Sequence, residues 1–215
     1  MRALSLLEAR VLGVLVEKQA TVPDTYPLSP NTLVAGCNQK TARDPVLSAS
    51  ESEVLAAVAG LKTLSLVFEV SGNRVVRFEH NAARALGVPG AAAALLAVLM
   101  LRGPQTAAEL RLNCERLHRF ADIASVEGFL EELAASEPPK AVRLARAPGA
   151  REPRWAHLLC GEVVATAASA AVGSDEEAVS VGELVSLRAE LARQGAELHD
   201  LREMLQRLQR ELGVD

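Results

Sequence analysis

The pattern of apolar and polar positions changes period along the chain, and it does so twice in the same order. Leu6, Val11, Leu12, Leu15 and Val16 recur at helical spacing behind Ser5 and Glu8, a capping-box pair. They predict a first helix over about 5–19. Ser29 followed by Pro30 is an N-cap with proline at the first helical position, and Leu33, Val34 and Cys37 then share one face of a second helix. Ser50 with Glu53 predicts a third helix whose apolar stripe is Val54, Ala57, Val58 and Leu61. The period then shortens to that of a strand: "LVFEV" and "RVVRFEH" flank "SGN", a hairpin turn.

Residues 91–160 repeat this order. A helix over 91–102 ends at Gly103-Pro104. Thr106 with Glu109 opens the next, which carries Leu110 and Cys114. Asp122 caps a third with Val126, Phe129, Leu130 and Leu133 on one face. "AVRLAR" and "RWAHLL" read as strands around "APGAREP". Three helices and a hairpin, twice, predict a mainly α protein with small β-hairpin wings (α+β), built as two tandem winged-helix domains over 1–90 and 91–160. Cys37 and Cys114 hold the same place on the second helix of each unit, where free cysteine behaves as a small buried hydrophobe.

A third pattern occupies the C-terminal part. Residues 161–182 are rich in Ala, Ser, Val and Gly with an acidic "SDEE", and read as a flexible linker. Over 183–213 the leucines keep heptad spacing: Leu184, Leu191, Leu198, Leu205 and Leu212 at a, and Leu187, Leu201 and Leu208 at d, with Gln194 the one polar d residue. Glu183 and Glu197 at g face Arg188 and Arg202 at e, which suits a parallel pair. A C-terminal coiled-coil helix and a homodimer are expected, the alternative being a long helix folded back on its own domains.

Composition narrows the chemistry. Hydrophobic residues make up 49% of the chain but aromatics only 3%, so Leu, Val and Ala must build the core. The net charge of −4 is unevenly placed. Residues 1–90 and 91–160 each carry nine Lys/Arg against eight Asp/Glu, whereas 161–215 carry five against eleven. The tail is therefore too acidic for a zipper that grips DNA through a basic region. Three widely spaced cysteines without a CxxC suit a reducing compartment and offer no zinc site. Glu8 and Arg10 interrupt the N-terminal apolar run, and "AAAALLAVLML" is too short to span a bilayer. A cytoplasmic protein with no membrane partner is expected.

No catalytic constellation is present. His80, His118, His157 and His199 are scattered, and GxSxG, P-loop and GxGxxG patterns are missing. No enzyme, metal or cofactor is expected. The winged-helix reading points instead to double-stranded DNA. Asn38, Gln39, Lys40, Thr41 and Arg43 cluster at the exit of the second helix. Arg74 and Arg77 lie on the first wing, Arg151 and Arg154 on the second. Arg111 and Arg116 lie on the second helix of unit two. Lys40 and Arg43 equally suit the charge complement of a helix C-terminus. The third helices oppose DNA: Glu51, Glu53, Glu127, Glu131 and Glu132 would repel phosphate.

"LEARVLGVLVEKQATVPDTYPLSPNTLVAGCNQKTARDPVLSASESEV", "LLRGPQTAAELR" and "VRLARAPGAREPRWAHLLCGEV" resemble the YceH family of largely uncharacterised bacterial proteins, collinearly over about residues 4–163. The resemblance implies tandem winged-helix domains and carries no ligand, cofactor or catalytic residue. The leading expectation is a dimeric DNA-binding transcriptional regulator. The alternative is a protein–protein interaction scaffold whose winged helices do not bind DNA.

Overall fold

The computed structural model describes residues 1–71, 76–146 and 152–162, all within one compact unit, Met1–Val164. The described part is mainly helical with two small antiparallel strand pairs. Most of the expected linker, and all of the heptad leucines from Leu184 to Leu212, lie outside the described residues.

Local sequence places the helices. α1 (Leu6–Thr21) starts at a complete capping box, in which the Glu8 N–H donates to Ser5 Oγ (3.1 Å) and the Ser5 N–H donates to the Glu8 carboxylate (2.7 Å). α2 (Pro30–Cys37) starts behind Ser29 with proline in its first turn. α3 (Glu51–Thr63) again has a full box, Ser50 with Glu53. β1 (Val67–Ser71) and β2 (Val76–His80) pair antiparallel, with Val67 opposite His80 and Glu69 opposite Phe78.

α4 (Ala82–Leu86) follows at once and ends at Gly87, whose φ of 64° is the left-handed cap that glycine supplies. The hydrophobic pattern did not predict this helix, nor the 3-10 turn Pro23–Thr25, because single turns are too short to show a period. α5 (Gly90–Arg102), α6 (Ala107–Cys114), α7 (Ile123–Ala135) and the pair β3 (Ala141–Arg143) with β4 (Trp155–His157) complete the order. Thr106 with Glu109 forms the capping box of α6, and Asp122 caps α7.

Each strand pair gains a third participant. Leu28 exchanges backbone hydrogen bonds with Phe78 (2.8 and 3.0 Å), and Gln105 does so with Trp155 (2.7 and 3.1 Å). The two halves agree at one constant chain separation: Leu28 with Gln105, Ser29 with Thr106, Cys37 with Cys114, Phe78 with Trp155 and His80 with His157.

The first helices of the halves pack on each other. α1 is buried on all sides from Glu8 to Val16, and α5 from Ala91 to Leu101. Gly13 allows the approach: a Cβ there would lie 3.0 Å from Leu101 Cγ. One hydrophobic cluster runs through both halves, from Leu12 and Leu15 to Leu96, Leu110 and Leu130. Each fully buried leucine is worth about 1.5–3 kcal/mol, so the halves are joined by their shared interior.

Candidate interaction surfaces

The polar run after α2 divides into inward and outward residues. Asn38 bridges the segment it begins: its Nδ2 donates to Ala49 O and its Oδ1 accepts from Ala49 N–H, both at 2.8 Å. Gln39 Oε1 accepts from Lys18 Nζ (3.1 Å) and Arg43 Nη2 (2.7 Å). Arg43 turns inward. Its side chain is fully buried, Nη2 and Nη1 donate to the two Glu17 oxygens (2.6 and 3.2 Å), Nε donates to Gly36 O and Nη1 to Ala42 O. The guanidinium expected to reach for phosphate is committed to the interior. Lys40 and Thr41 remain exposed.

A second buried arginine lies beside it. Arg10 has no exposure; Nη1 donates to Cys37 O (3.1 Å) and Nη2 to Pro45 O (2.6 Å), while Nε meets no acceptor among the described residues. The Asp44 N–H donates to Leu101 O (2.8 Å), which fixes the segment to the end of α5. Burial would raise the Glu17 carboxyl, but hydrogen bonds and charge from Arg43 outweigh it and hold the group below its ordinary value. Burial pushes the Cys37 and Cys114 thiols up to about 12, which leaves them neutral and unreactive.

The wing arginines serve as anchors. Arg77 on β2 donates from Nη1 to Pro27 O (2.7 Å) and Thr25 O (3.4 Å). Arg154 repeats this at the matching place, donating to Pro104 O (3.4 Å) and pairing with Glu109 (3.6 Å). Arg74 and Arg151 lie outside the described residues. On α6, Arg111 donates to Ala121 O (3.2 Å) and Asn113 to Gln105 Oε1 (2.6 Å), whereas Arg116, just beyond, is exposed. Of these basic residues Arg43 is buried, Arg77, Arg111 and Arg154 bond backbone carbonyls, and Lys40 and Arg116 are exposed.

His80 is held as a neutral ring. The Ala82 N–H donates to its Nδ1 (3.2 Å), so Nε2 carries the hydrogen and donates to Gln19 Oε1 (2.7 Å). The His80 N–H donates to Tyr26 Oη (2.7 Å). Burial lowers both His80 and His157 to about 4.

The third helices face outward with other chemistry. α3 exposes Glu51, Ser52, Glu53, Leu55, Ala56, Ala59, Lys62 and Thr63; α7 exposes Ile123, Ala124, Glu127, Gly128, Glu131, Glu132 and Ala135. Lys62, in the last turn of α3, pairs with Glu69. Between the first turns of α1 and α3 lies a surface groove of about 350 Å³, lined by Ser5, Leu7, Glu8, Glu53, Ala56 and Ala57. Sequence reasoning did not find it, because it is made by two helices distant in the chain. Among the described residues no group of His, Cys, Asp or Glu is placed to hold a metal ion, and no helix is long and apolar enough to cross a membrane.

Residues 4–150 match a family described as "Protein of unknown function, DUF480". A UPF0502 protein of Leptothrix cholodnii is 62% identical over 216 residues, covering 100% of this chain and 97% of that protein. UPF0502 proteins of Burkholderia pseudomallei (strain 668) and Paraburkholderia xenovorans are 62% and 61% identical, each over 100% of this chain and over 92% and 90% of their own lengths. The similarity thus continues through the heptad tail, beyond the stretch quoted for the family resemblance.

Proposed function

The chain belongs to the DUF480 family, and from that premise we propose that it is a protein-interaction module: two winged-helix units, packed through their first helices, offer the outward faces of α3 and α7 to protein partners. The winged-helix reading is supported by the order helix, single-residue bridge, helix, helix and strand pair, which occurs twice. The interaction reading is carried by one observation. The outward faces of both third helices combine apolar residues with glutamates, and their single Lys or Arg, Lys62 in the last turn of α3, pairs with Glu69. A helix that reads the major groove uses Arg, Lys, Asn or Gln against base edges and must sit among phosphates. Glu51, Glu127 and Glu131 would be repelled there. The anchoring of Arg77 and the burial of Arg43 point the same way. The buried, high-pKa thiols suit a non-catalytic protein, and the heptads of the tail would pair two copies.

The second reading, a DNA-binding regulator, is favoured by the exposed Lys40, Thr41 and Arg116. Titration of random duplex DNA against the full chain at several salt concentrations separates the two. The interaction reading expects no binding at low salt. A log K that falls steeply with log salt, with a slope reduced by Lys40→Ala or Arg116→Ala, would establish DNA binding instead.

A further inference from the structure

We propose that the groove between the first turns of α1 and α3 seats an apolar side chain of a basic amphipathic helix from a partner protein, an inference that rests on the interaction reading above. Three observations carry it. Leu7, Ala56 and Ala57 form the apolar part of the groove's lining, and the two alanines leave open the volume that a larger side chain on α3 would fill. Leu6 and Leu55, chain neighbours of Leu7 and Ala56, are 51% and 36% exposed and extend the apolar surface. At about 350 Å³ it is at the low end for a small-molecule pocket, but it suits an anchor side chain projecting from a helix laid across it.

The carboxylates of the groove are engaged in capping and ion-pair contacts. The Glu8 carboxylate takes both Arg2 nitrogens (2.5 and 2.8 Å) and the Ser5 N–H, and the Glu53 carboxylate takes Ser50 N–H and Oγ. The charge that remains is negative. Glu51 and Glu53 stand at the start of α3, while Arg2 is spent on Glu8 and Lys62 on Glu69 at the far end of the helix. The approach therefore complements Lys and Arg flanking the apolar anchor, and repels a nucleic acid or an acidic helix. α7 repeats the alternation with Ile123, Ala124, Glu127 and Glu131.

The test uses the full chain and a fluorescent amphipathic Leu/Lys helical peptide, with a Leu/Glu peptide of equal length as control, read by anisotropy. The Leu/Lys peptide binds and the Leu/Glu peptide does not. Ala56→Trp, at an exposed position, fills the groove and weakens binding at least about tenfold with unchanged circular dichroism. Glu51→Lys weakens it about threefold at low salt and little at high salt. Unchanged affinity in Ala56→Trp, or equal binding of the two peptides, overturns the proposal. Random duplex DNA is titrated in parallel. Duplex binding with a steep salt slope overturns the interaction reading itself, whereas failure of the peptide without duplex binding overturns only the groove and its partner class.

Discussion

Arg43 and Glu17, 26 residues apart in the chain, form a two-pronged ion pair in which the arginine side chain has no exposure and the glutamate 17%. The pair closes the segment after α2 onto α1. A surface pair of this kind is worth little, but removing one partner of a buried pair leaves a charge without compensation.

Glu17→Gln is accordingly expected to destabilise the protein by about 2–3 kcal/mol, at or below the lower end of the range for broken buried pairs because Glu17 keeps some contact with water. Arg43→Lys does not restore it, since only the guanidinium fork reaches Glu17, Gln39 and Gly36 together. Urea denaturation midpoints measure both. The sign with pH follows from the lowered Glu17 carboxyl. Its contribution is present above the unfolded value near 4.3 and fades as pH falls through the folded value, so Glu17→Gln flattens the acid limb below about pH 4.5. A wild-type acid limb retained in Glu17→Gln would refute the pair's role.

His80 and His157 set a second pH window. Both are held neutral, at about 4 against an ordinary 6.5. Between those values the unfolded chain binds more protons than the folded one, so stability rises with pH across the window and is lost on acidification from about 6.5. Thermal melts between pH 4 and 7 on His80→Gln and His157→Gln should show a shallower slope than wild type. Parallel slopes would remove the histidines from the account.

Arg77→Ala is expected to loosen a strand rather than remove a phosphate contact. The side chain holds the carbonyls of Thr25 and Pro27, next to the Leu28–Phe78 backbone bridge. Amide exchange at Leu28 and Phe78 should accelerate, with a cost of about 1 kcal/mol in global stability. Unchanged protection at both amides would show that the bridge stands without its anchor.

Gly36→Ala should destabilise by about 1–3 kcal/mol although alanine is the better helix former by about 1 kcal/mol. The added Cβ would stand 2.6 Å from Val14 Cγ1. Val14→Ala opens that space, so the double variant should recover part of the loss. A double-mutant cycle gives the coupling directly. Additive losses would mean that α2 and α1 separate elsewhere.

The helix starts were legible because a capping box is written within four residues, and Ser5, Ser50 and Thr106 each form theirs. The strand pairs were legible from the change of period, though β3 and β4 are shorter than the apolar runs that announced them. The direction of Arg43 was not legible. A basic residue in a polar run reads as surface, and only Glu17, brought alongside by the packing of α2 on α1, turns it inward. Arg10 misleads in the opposite way: it breaks an apolar run as a solvated residue would, yet it is among the most buried side chains. The anchoring of Arg77 and Arg154 depends on carbonyls about 50 positions earlier, which no local pattern connects.

The hydrogen bond from Asp44 N–H to Leu101 O and the contact of Gly13 with α5 tie the first half to the second. Matching residues on each side keep the marks of two equivalent parts, yet neither part owns a complete interior. Such a chain can no longer lose or exchange one copy as independent modules do. Changes in one half must be tolerated by the other, so the two halves diverge as a single inherited object.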